Sequence, residues 1–150
     1  MKNILSNRYF LFAVRLLLGF LFIYSGVIKI DDSGYFVKSL DNYKLLPPEF
    51  VNFSALLIPA IELIIGTFLL LGIFVKETAL VADIMMIVFI AAIITAIARG
   101  LDIECGCFGT SDGTRVGLIK IIENFFLLTG CALLSVFGSQ FLSVTDRRGK

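Results

Sequence analysis

The sequence contains no histidine, and only three of its 150 residues are cysteine. Without histidine the chain lacks the commonest general base of enzymes, the Ser-His and Cys-His nucleophile pairs, and the usual ligands of most zinc sites. Three cysteines are too few for a secreted scaffold held together by many disulfides. Any chemistry must therefore come from cysteine, carboxylate, tyrosine, lysine or arginine side chains, or from a bound cofactor.

Charged residues are also scarce. They make up 17% of the chain and leave a net charge of +1, which argues against a nucleic-acid-binding protein. Hydrophobic residues make up 58%, and a soluble domain of this length could not bury so many apolar side chains. The same composition excludes an intrinsically disordered chain. Most of the sequence is therefore expected to be surrounded by a lipid bilayer.

Four apolar stretches are long enough to cross a bilayer core of about 30 Å as helices. They lack the sustained period of two that membrane strands require. We therefore predict an all-α fold, an integral membrane four-helix bundle formed by a single domain over residues 1–150. The predicted spans cover approximately residues 9–30, 53–74, 78–98 and 116–137.

The loop between the first two spans contains a predicted short amphipathic helix. Ser33 is the predicted N-cap of this helix, and Pro47-Pro48 ends the segment. Its apolar side chains at helical spacing would let it lie on the membrane surface. These apolar residues are Phe36, Val37, Leu40 and Tyr43.

Basic residues divide evenly between the two ends of the four spans, so the positive-inside rule gives only a weak signal. Arg15 lies nearer the N-terminal end of the first span, and acidic residues concentrate in the two longer loops. These features favour a membrane protein with both termini in the cytoplasm. The first and third loops would then lie on the outer side of the membrane.

Charges inside the spans are expected to face the interior of the bundle, because a charge at the bilayer centre costs about 2.5–3.5 kcal/mol. Arg15 and Asp83 lie at similar depths near the cytoplasmic edge and are predicted to form a structural ion pair. Glu62 lies near the middle, where no basic residue is expected at the same depth. It is either a protonated carboxyl within the packing or, with Glu123 in the outer half, a group that binds a quinone or passes protons.

The densest chemistry in the sequence is Cys105-Gly106-Cys107, in the loop after the third span. A disulfide between cysteines so close in sequence is strained, and strained exposed disulfides tend to be labile and catalytic. Two other interpretations remain open from the residues alone: a structural staple that never turns over, or two thiolates that bind a soft metal such as Cu(I). A metal would need further ligands, and Cys131 lies too deep in the fourth span, so we predict no metal site.

These features resemble the DoxX-like superfamily of small four-helix membrane proteins and, within it, the MauE family of methylamine utilisation. The resemblance rests on RLLLGFLFIYSGVIKI (15–30), on Phe36 and YKLLP (43–47) in the first loop, on PAIELIIG (59–66) and, most specifically, on RGLDIECGCFG (99–109). It implies a protein of the bacterial inner membrane that takes part in thiol–disulfide exchange in the periplasm beside a thioredoxin-like partner, with Cys105 and Cys107 as the exchanging pair. The residues that the resemblance places in the framework of the bundle are Arg15, Gly26, Lys29 and Glu62.

The sequence therefore predicts an integral membrane thiol–disulfide oxidoreductase or its docking subunit. A quinone between the helices is a candidate acceptor for the electrons of the cysteine pair, and the sequence establishes no cofactor. Two alternatives use the same residues differently. In the first, the cysteine pair captures a soft metal in a metal-handling or transport protein. In the second, the chain is a non-catalytic membrane anchor whose disulfide is a staple.

Overall fold

The computed structural model describes residues 8–100 and 118–137 of the chain. These two ranges form five α-helices and contain no strand, which confirms the all-α prediction. The helices, numbered in chain order, are α1 (Arg8–Asp31), α2 (Ser33–Asn42), α3 (Pro48–Leu71), α4 (Val75–Ala98) and α5 (Leu118–Phe137).

Three of these helices, α1, α3 and α4, are long and apolar enough to cross a membrane. The apolar part of α5 is shorter and covers Ile121–Phe137. Large apolar side chains remain exposed on the outer faces of the bundle: Leu56 and Phe126 each leave 74% of their surface accessible. Lipid is the solvent that suits such a surface. The chain is a multi-pass membrane protein, with three full-length candidate spans in the described ranges where four were predicted.

The four long helices associate as two closely packed pairs, α1 with α3 and α4 with α5. The contact between α3 and α4 is less extensive, although a short turn joins them. Because α1 also packs against α5, the four helices form a ring in which α1 and α4 stand diagonally. The ring encloses an apolar core whose most deeply buried members are Ile65, Leu69, Ala79, Ala82, Cys131 and Leu134.

Glycine residues allow α1 and α3 to approach closely. A Cβ atom built on Gly66 would lie 2.7 Å from the carbonyl oxygen of Gly19 and 2.6 Å from Cγ1 of Ile23. A Cβ atom on Gly26 would lie 3.0 Å from the carbonyl oxygen of Pro59. Helices in lipid associate through such close van der Waals packing between small residues, because burial of apolar surface offers no gain there.

Three of the predicted span boundaries, both ends of α3 and the start of α4, differ from the structure because of residues that start or stop helices. Helix α3 begins at Pro48 rather than near residue 53, since proline suits the first turn of a helix. It ends at Leu71, because Gly72 adopts a left-handed conformation (φ 69°) and its N–H bonds back to the carbonyl groups of the last turn. The turn between α3 and α4 is therefore 72–74, and residues 75–77, which fall between the second and third predicted spans, belong to α4.

The predicted amphipathic helix is present as α2, with one correction. Its N-cap is Asp32, whose carboxylate accepts a hydrogen bond from the N–H of Tyr35 at 3.3 Å, and Ser33 is the first helical residue. Phe36 and Tyr43 are buried at 3% and 7% exposure. Helix α2 packs mainly against α3 and lies at the end of the bundle where α4 ends and α5 begins.

Candidate functional site

A buried ion pair joins α1 to α3. Nζ of Lys29 lies 2.5 Å from Oε1 of Glu62, and both side chains are only 2% exposed. Ser25, one turn before Lys29, completes the group: Lys29 donates to its hydroxyl at 2.7 Å, and that hydroxyl donates to Oε2 of Glu62 at 3.3 Å. Three polar side chains thus satisfy one another inside an apolar bundle, as buried charges require.

The direction of helical side chains explains why Lys29 and Glu62 meet. The Cα–Cβ bond in a helix tilts toward the helix N-terminus. Helices α1 and α3 run in opposite directions, so the Lys29 side chain leans from the C-terminal end of α1 toward the middle of the bundle, while the Glu62 side chain leans toward it from the middle of α3. The expectation that Glu62 has no basic neighbour at its own depth is wrong. The backbone of Lys29 lies at a different depth in the bundle, but its long side chain reaches the carboxylate of Glu62.

The ammonium group of Lys29 also contacts two aromatic rings. Nζ lies 5.5 Å from the ring centre of Phe36 in α2 and 5.6 Å from that of Phe89 in α4. A cation within about 6 Å of an aromatic face is attracted to it, most strongly where water is excluded. Side chains from α1, α2, α3 and α4 therefore meet at one charged atom.

A small cavity lies beside the ion pair, with a volume of about 10 Å³. This is close to the smallest space that holds one water molecule, roughly 10–15 Å³. A quinone ring does not fit there. The fifth helix contributes Asn124, which is 1% exposed, and the other lining residues are Leu21, Phe22, Ser25, Lys29, Glu62, Met86, Phe89 and Leu127.

Ser25 and Asn124 are site residues that were not predicted from the sequence. Both are uncharged, so the cost of burying a charge in lipid does not single them out. A positional signal does exist for Asn124: it shares a helical face with Leu127, Cys131 and Leu134, all of which are buried. A polar residue on the buried face of a membrane helix is a candidate for a hydrogen-bonding role.

Arg15 and Asp83 are both buried, at 1% and 8% exposure, but the structure does not join them in an ion pair. The guanidinium group of Arg15 lies 4.9 Å from the ring centre of Phe12. Asp83 lies beside Ser135 and Cys131 of α5, and its Oδ1 has no hydrogen-bond partner among the described residues. Equal depth did not bring the two charges together, because α1 and α4 are diagonal helices of the ring.

Comparison with known proteins gives the family. A family model described as Methylamine utilisation protein MauE matches residues 7–137. The chain belongs to the MauE family. The match begins just before α1 and ends with α5, so it covers the whole described bundle, including the Lys29–Glu62 pair.

Two curated proteins are similar to this MauE-family chain. Methylamine utilization protein MauE of Paracoccus denitrificans is 27% identical over 139 residues, which cover 92% of this chain and 74% of that protein. Protein TlpB of Flavobacterium psychrophilum is 31% identical over 114 residues, which cover 69% of this chain and 30% of that protein. Because the chain spans less than a third of TlpB, only that part of TlpB is comparable. No solved structure matches the chain.

The predicted exchanging cysteines of this MauE-family protein, Cys105 and Cys107, lie outside the described residues. Two described residues, Arg99 and Gly100, lie between the end of α4 and the segment that contains these cysteines. The guanidinium group of Arg99 donates a hydrogen bond to the backbone carbonyl of Tyr43 at 3.2 Å. Gly100 then takes a left-handed conformation (φ 65°). The residue that follows α4, Arg99, is thus tied to the residue that ends α2, Tyr43.

The remaining sequence candidates are not part of the buried polar group. Glu123 lies on the exposed side of α5, although its neighbour Asn124 faces inward. Cys131 is a free, fully buried cysteine within the apolar core. In the ranges 8–100 and 118–137, no three histidine, cysteine or acidic side chains are placed to hold a metal ion.

Proposed function

We propose that this MauE-family protein takes part in thiol–disulfide exchange at the outer face of the inner membrane, with Cys105 and Cys107 as the exchanging pair. The observation that carries the proposal is the Cys105-Gly106-Cys107 sequence between α4 and α5. Two cysteines in a loop outside the cytoplasm meet an oxidising compartment. A disulfide that closes so small a ring is strained and therefore readily reduced.

The exchange proceeds by two thiolate attacks. A thiolate of a partner dithiol attacks one sulfur of the Cys105–Cys107 disulfide, the S–S bond breaks, and the second cysteine leaves as a thiolate. The other partner thiolate then attacks the mixed disulfide. The partner leaves oxidised by two electrons, and both cysteines of the pair are reduced. The reverse sequence of attacks reduces a partner disulfide, and a thioredoxin-like protein carries a dithiol suited to either direction.

The Lys29–Glu62 pair serves this function as framework. Its charges are satisfied by each other and by Ser25, and the cavity beside them admits a single water molecule. A quinone ring bound at Glu62 would have to displace helices that pack closely. We therefore do not propose that electrons pass to a quinone at Glu62.

The test is the redox potential of the Cys105/Cys107 pair, measured by thiol alkylation in membranes across a glutathione series, with Cys131→Ser as background. We expect a potential above about −230 mV, the range of exchanging disulfides. A potential below about −300 mV would make the bond a structural staple and the chain a membrane anchor. Thiols that resist oxidation until a chelator is added would replace exchange with metal capture.

A further inference from the structure

We propose that Lys29 holds the surface helix α2 on the membrane bundle, and that α2 in turn positions the start of the segment that carries Cys105 and Cys107. Lys29 is thus a positioning residue for the cysteine pair. That Lys29 holds α2 is argued from the described contacts alone. That α2 positions the cysteine segment rests on the proposed function, and separate measurements test the two statements.

The first contact is between the Lys29 ammonium group and the ring of Phe36, 5.5 Å apart. Phe36 is 3% exposed and is the most deeply buried side chain of α2. A helix of ten residues is marginally stable on its own, so the stability of α2 depends on docking. Glu62 and Ser25 fix the ammonium group in place, and Phe36 seats the helix against it.

The second contact is at the other end of α2. Tyr43, which caps the helix, packs with Ala92 and Ala96 of α4. Its carbonyl oxygen accepts the hydrogen bond from Arg99 at 3.2 Å. Helix α2 therefore connects the buried ion pair at Phe36 with the end of α4 at Tyr43. If α2 leaves its seat, the carbonyl that holds Arg99 moves with it.

Arg15 offers a matched control for Lys29. It is a second buried cation of α1, 1% exposed, and it lies almost four helical turns before Lys29. Its guanidinium group lies over the ring of Phe12, which belongs to the same helix. A change at Arg15 or Phe12 thus removes a buried charge or a ring of the same kind at a site remote from α2.

The first experiment measures how accessible α2 is to a maleimide in isolated membranes. Native cysteines are replaced (Cys105→Ser, Cys107→Ser, Cys131→Ser), and Ser39→Cys places a reporter on the buried face of α2, where Ser39 is 5% exposed. Asp41→Cys, on the exposed face, is the reference. We expect labelling at position 39 to be at least tenfold slower than at position 41.

Two pairs of variants then test whether the contact between Lys29 and Phe36 holds α2 on the bundle. Lys29→Met with Glu62→Gln removes the ion pair without leaving a buried charge unpaired, and Arg15→Met is its control. Phe36→Leu removes the ring and keeps the ion pair, and Phe12→Leu is its control. We expect labelling at position 39 to rise at least fivefold in the first member of each pair and to stay within twofold in each control.

Unchanged labelling at position 39 in Phe36→Leu would overturn the proposal, because this variant leaves the membrane-embedded charges intact. An equal rise in Arg15→Met and in the ion-pair variant would also overturn it, since the effect would then be general loosening of the bundle.

The second experiment keeps Cys105 and Cys107, with Cys131→Ser as background, and measures the ratio of disulfide to dithiol at a fixed glutathione redox ratio. We expect Phe36→Leu to change this ratio at least threefold, and Phe12→Leu to leave it unchanged. In Lys29→Arg, which keeps the cation, the ratio of disulfide to dithiol should stay closer to that of the parent than it does in the ion-pair variant.

A Cys105/Cys107 pair that never exchanges with glutathione in the parent protein would refute the proposed function. The labelling result would still decide whether Lys29 holds α2 in place. An unchanged ratio with a raised labelling rate would refute the positioning role.

Discussion

Gly66 of α3 packs directly on the backbone of α1 at Gly19: a Cβ atom at Gly66 would lie 2.7 Å from the Gly19 carbonyl oxygen. The same atom would lie 2.9 Å from the backbone nitrogen of Ile23. Backbone atoms cannot move aside as the end of a flexible side chain can. The close packing of α1 against α3, and the ion pair between them, therefore depend on the absence of a Cβ atom at position 66.

Gly66→Ala is expected to destabilise the protein, because overpacking costs about 1–3 kcal/mol and here the clash is with backbone. The free energy of unfolding in mild detergent measures the effect. Gly34→Ala is the control, since a Cβ atom there meets no other atom within 4 Å. Equal stability of the Gly66→Ala and Gly34→Ala proteins would show that α1 and α3 can separate without loss.

Removing one member of the Lys29–Glu62 pair is expected to cost more than removing both charges. A single Lys29→Met substitution leaves a buried carboxylate without its cation, and breaking a buried pair in this way costs about 3–5 kcal/mol. The combined Lys29→Met, Glu62→Gln protein should recover part of that loss. A double-mutant cycle on the free energy of unfolding measures the coupling. Additive effects of the two substitutions would contradict a direct ion pair.

The proposed orientation predicts which side of the membrane each turn faces. In a protein without its native cysteines, Asp41→Cys at the end of α2 should react with an impermeant maleimide added to intact cells. Lys76→Cys, at the start of α4 beside the inner turn, should react only after the membrane is opened. Both positions are exposed in the structure, so burial does not limit either reaction. The opposite pattern would place the cysteine segment in the cytoplasm and remove its oxidising environment.

Tyr43 is expected to make stability depend on pH in the alkaline range. Burial raises the pKa of Tyr43 from 10.0 to about 12, because the charged phenolate is disfavoured. The folded state therefore holds this proton more tightly than the unfolded chain does. The resulting stability is fully present below about pH 10 and is lost as the pH rises through about 12.

Unfolding measured in detergent at pH 9 and pH 11 tests this dependence. The parent should lose stability between the two values, and Tyr43→Phe, which cannot ionise, should lose less. A Tyr43→Phe protein with the same loss as the parent would mean that other groups control the alkaline response.

The apolar helices were predictable from the sequence because the thickness of the bilayer sets the length of an apolar run. Their ends were less so. Pro48 and Gly72 decide where α3 starts and stops through local backbone geometry, which hydropathy does not record. The amphipathic helix α2 was predictable because Phe36 and Tyr43 fall on one helical face.

The polar site was only partly predictable. Burial of Arg15, Glu62 and Asp83 follows from the cost of charge in lipid. Which of these charges form ion pairs does not follow from the sequence. The pairing depends on which helices are neighbours and on the tilt of side chains toward the helix N-terminus. Lys29 therefore reaches Glu62 from a different depth, and Arg15 and Asp83 stay apart at the same depth.

The α1–α3 pair has a consequence for how the protein enters the membrane. Ser25, Lys29 and Glu62 all lie within the first three helices, upstream of Gly72. Once α3 has left the ribosome and moved into lipid, every charge of this group has its counterpart in the bilayer. The later helices α4 and α5 then insert beside α1 and α3, whose Lys29 and Glu62 are already paired. The translocation machinery does not have to keep an unpaired lysine or glutamate out of the lipid until synthesis is finished.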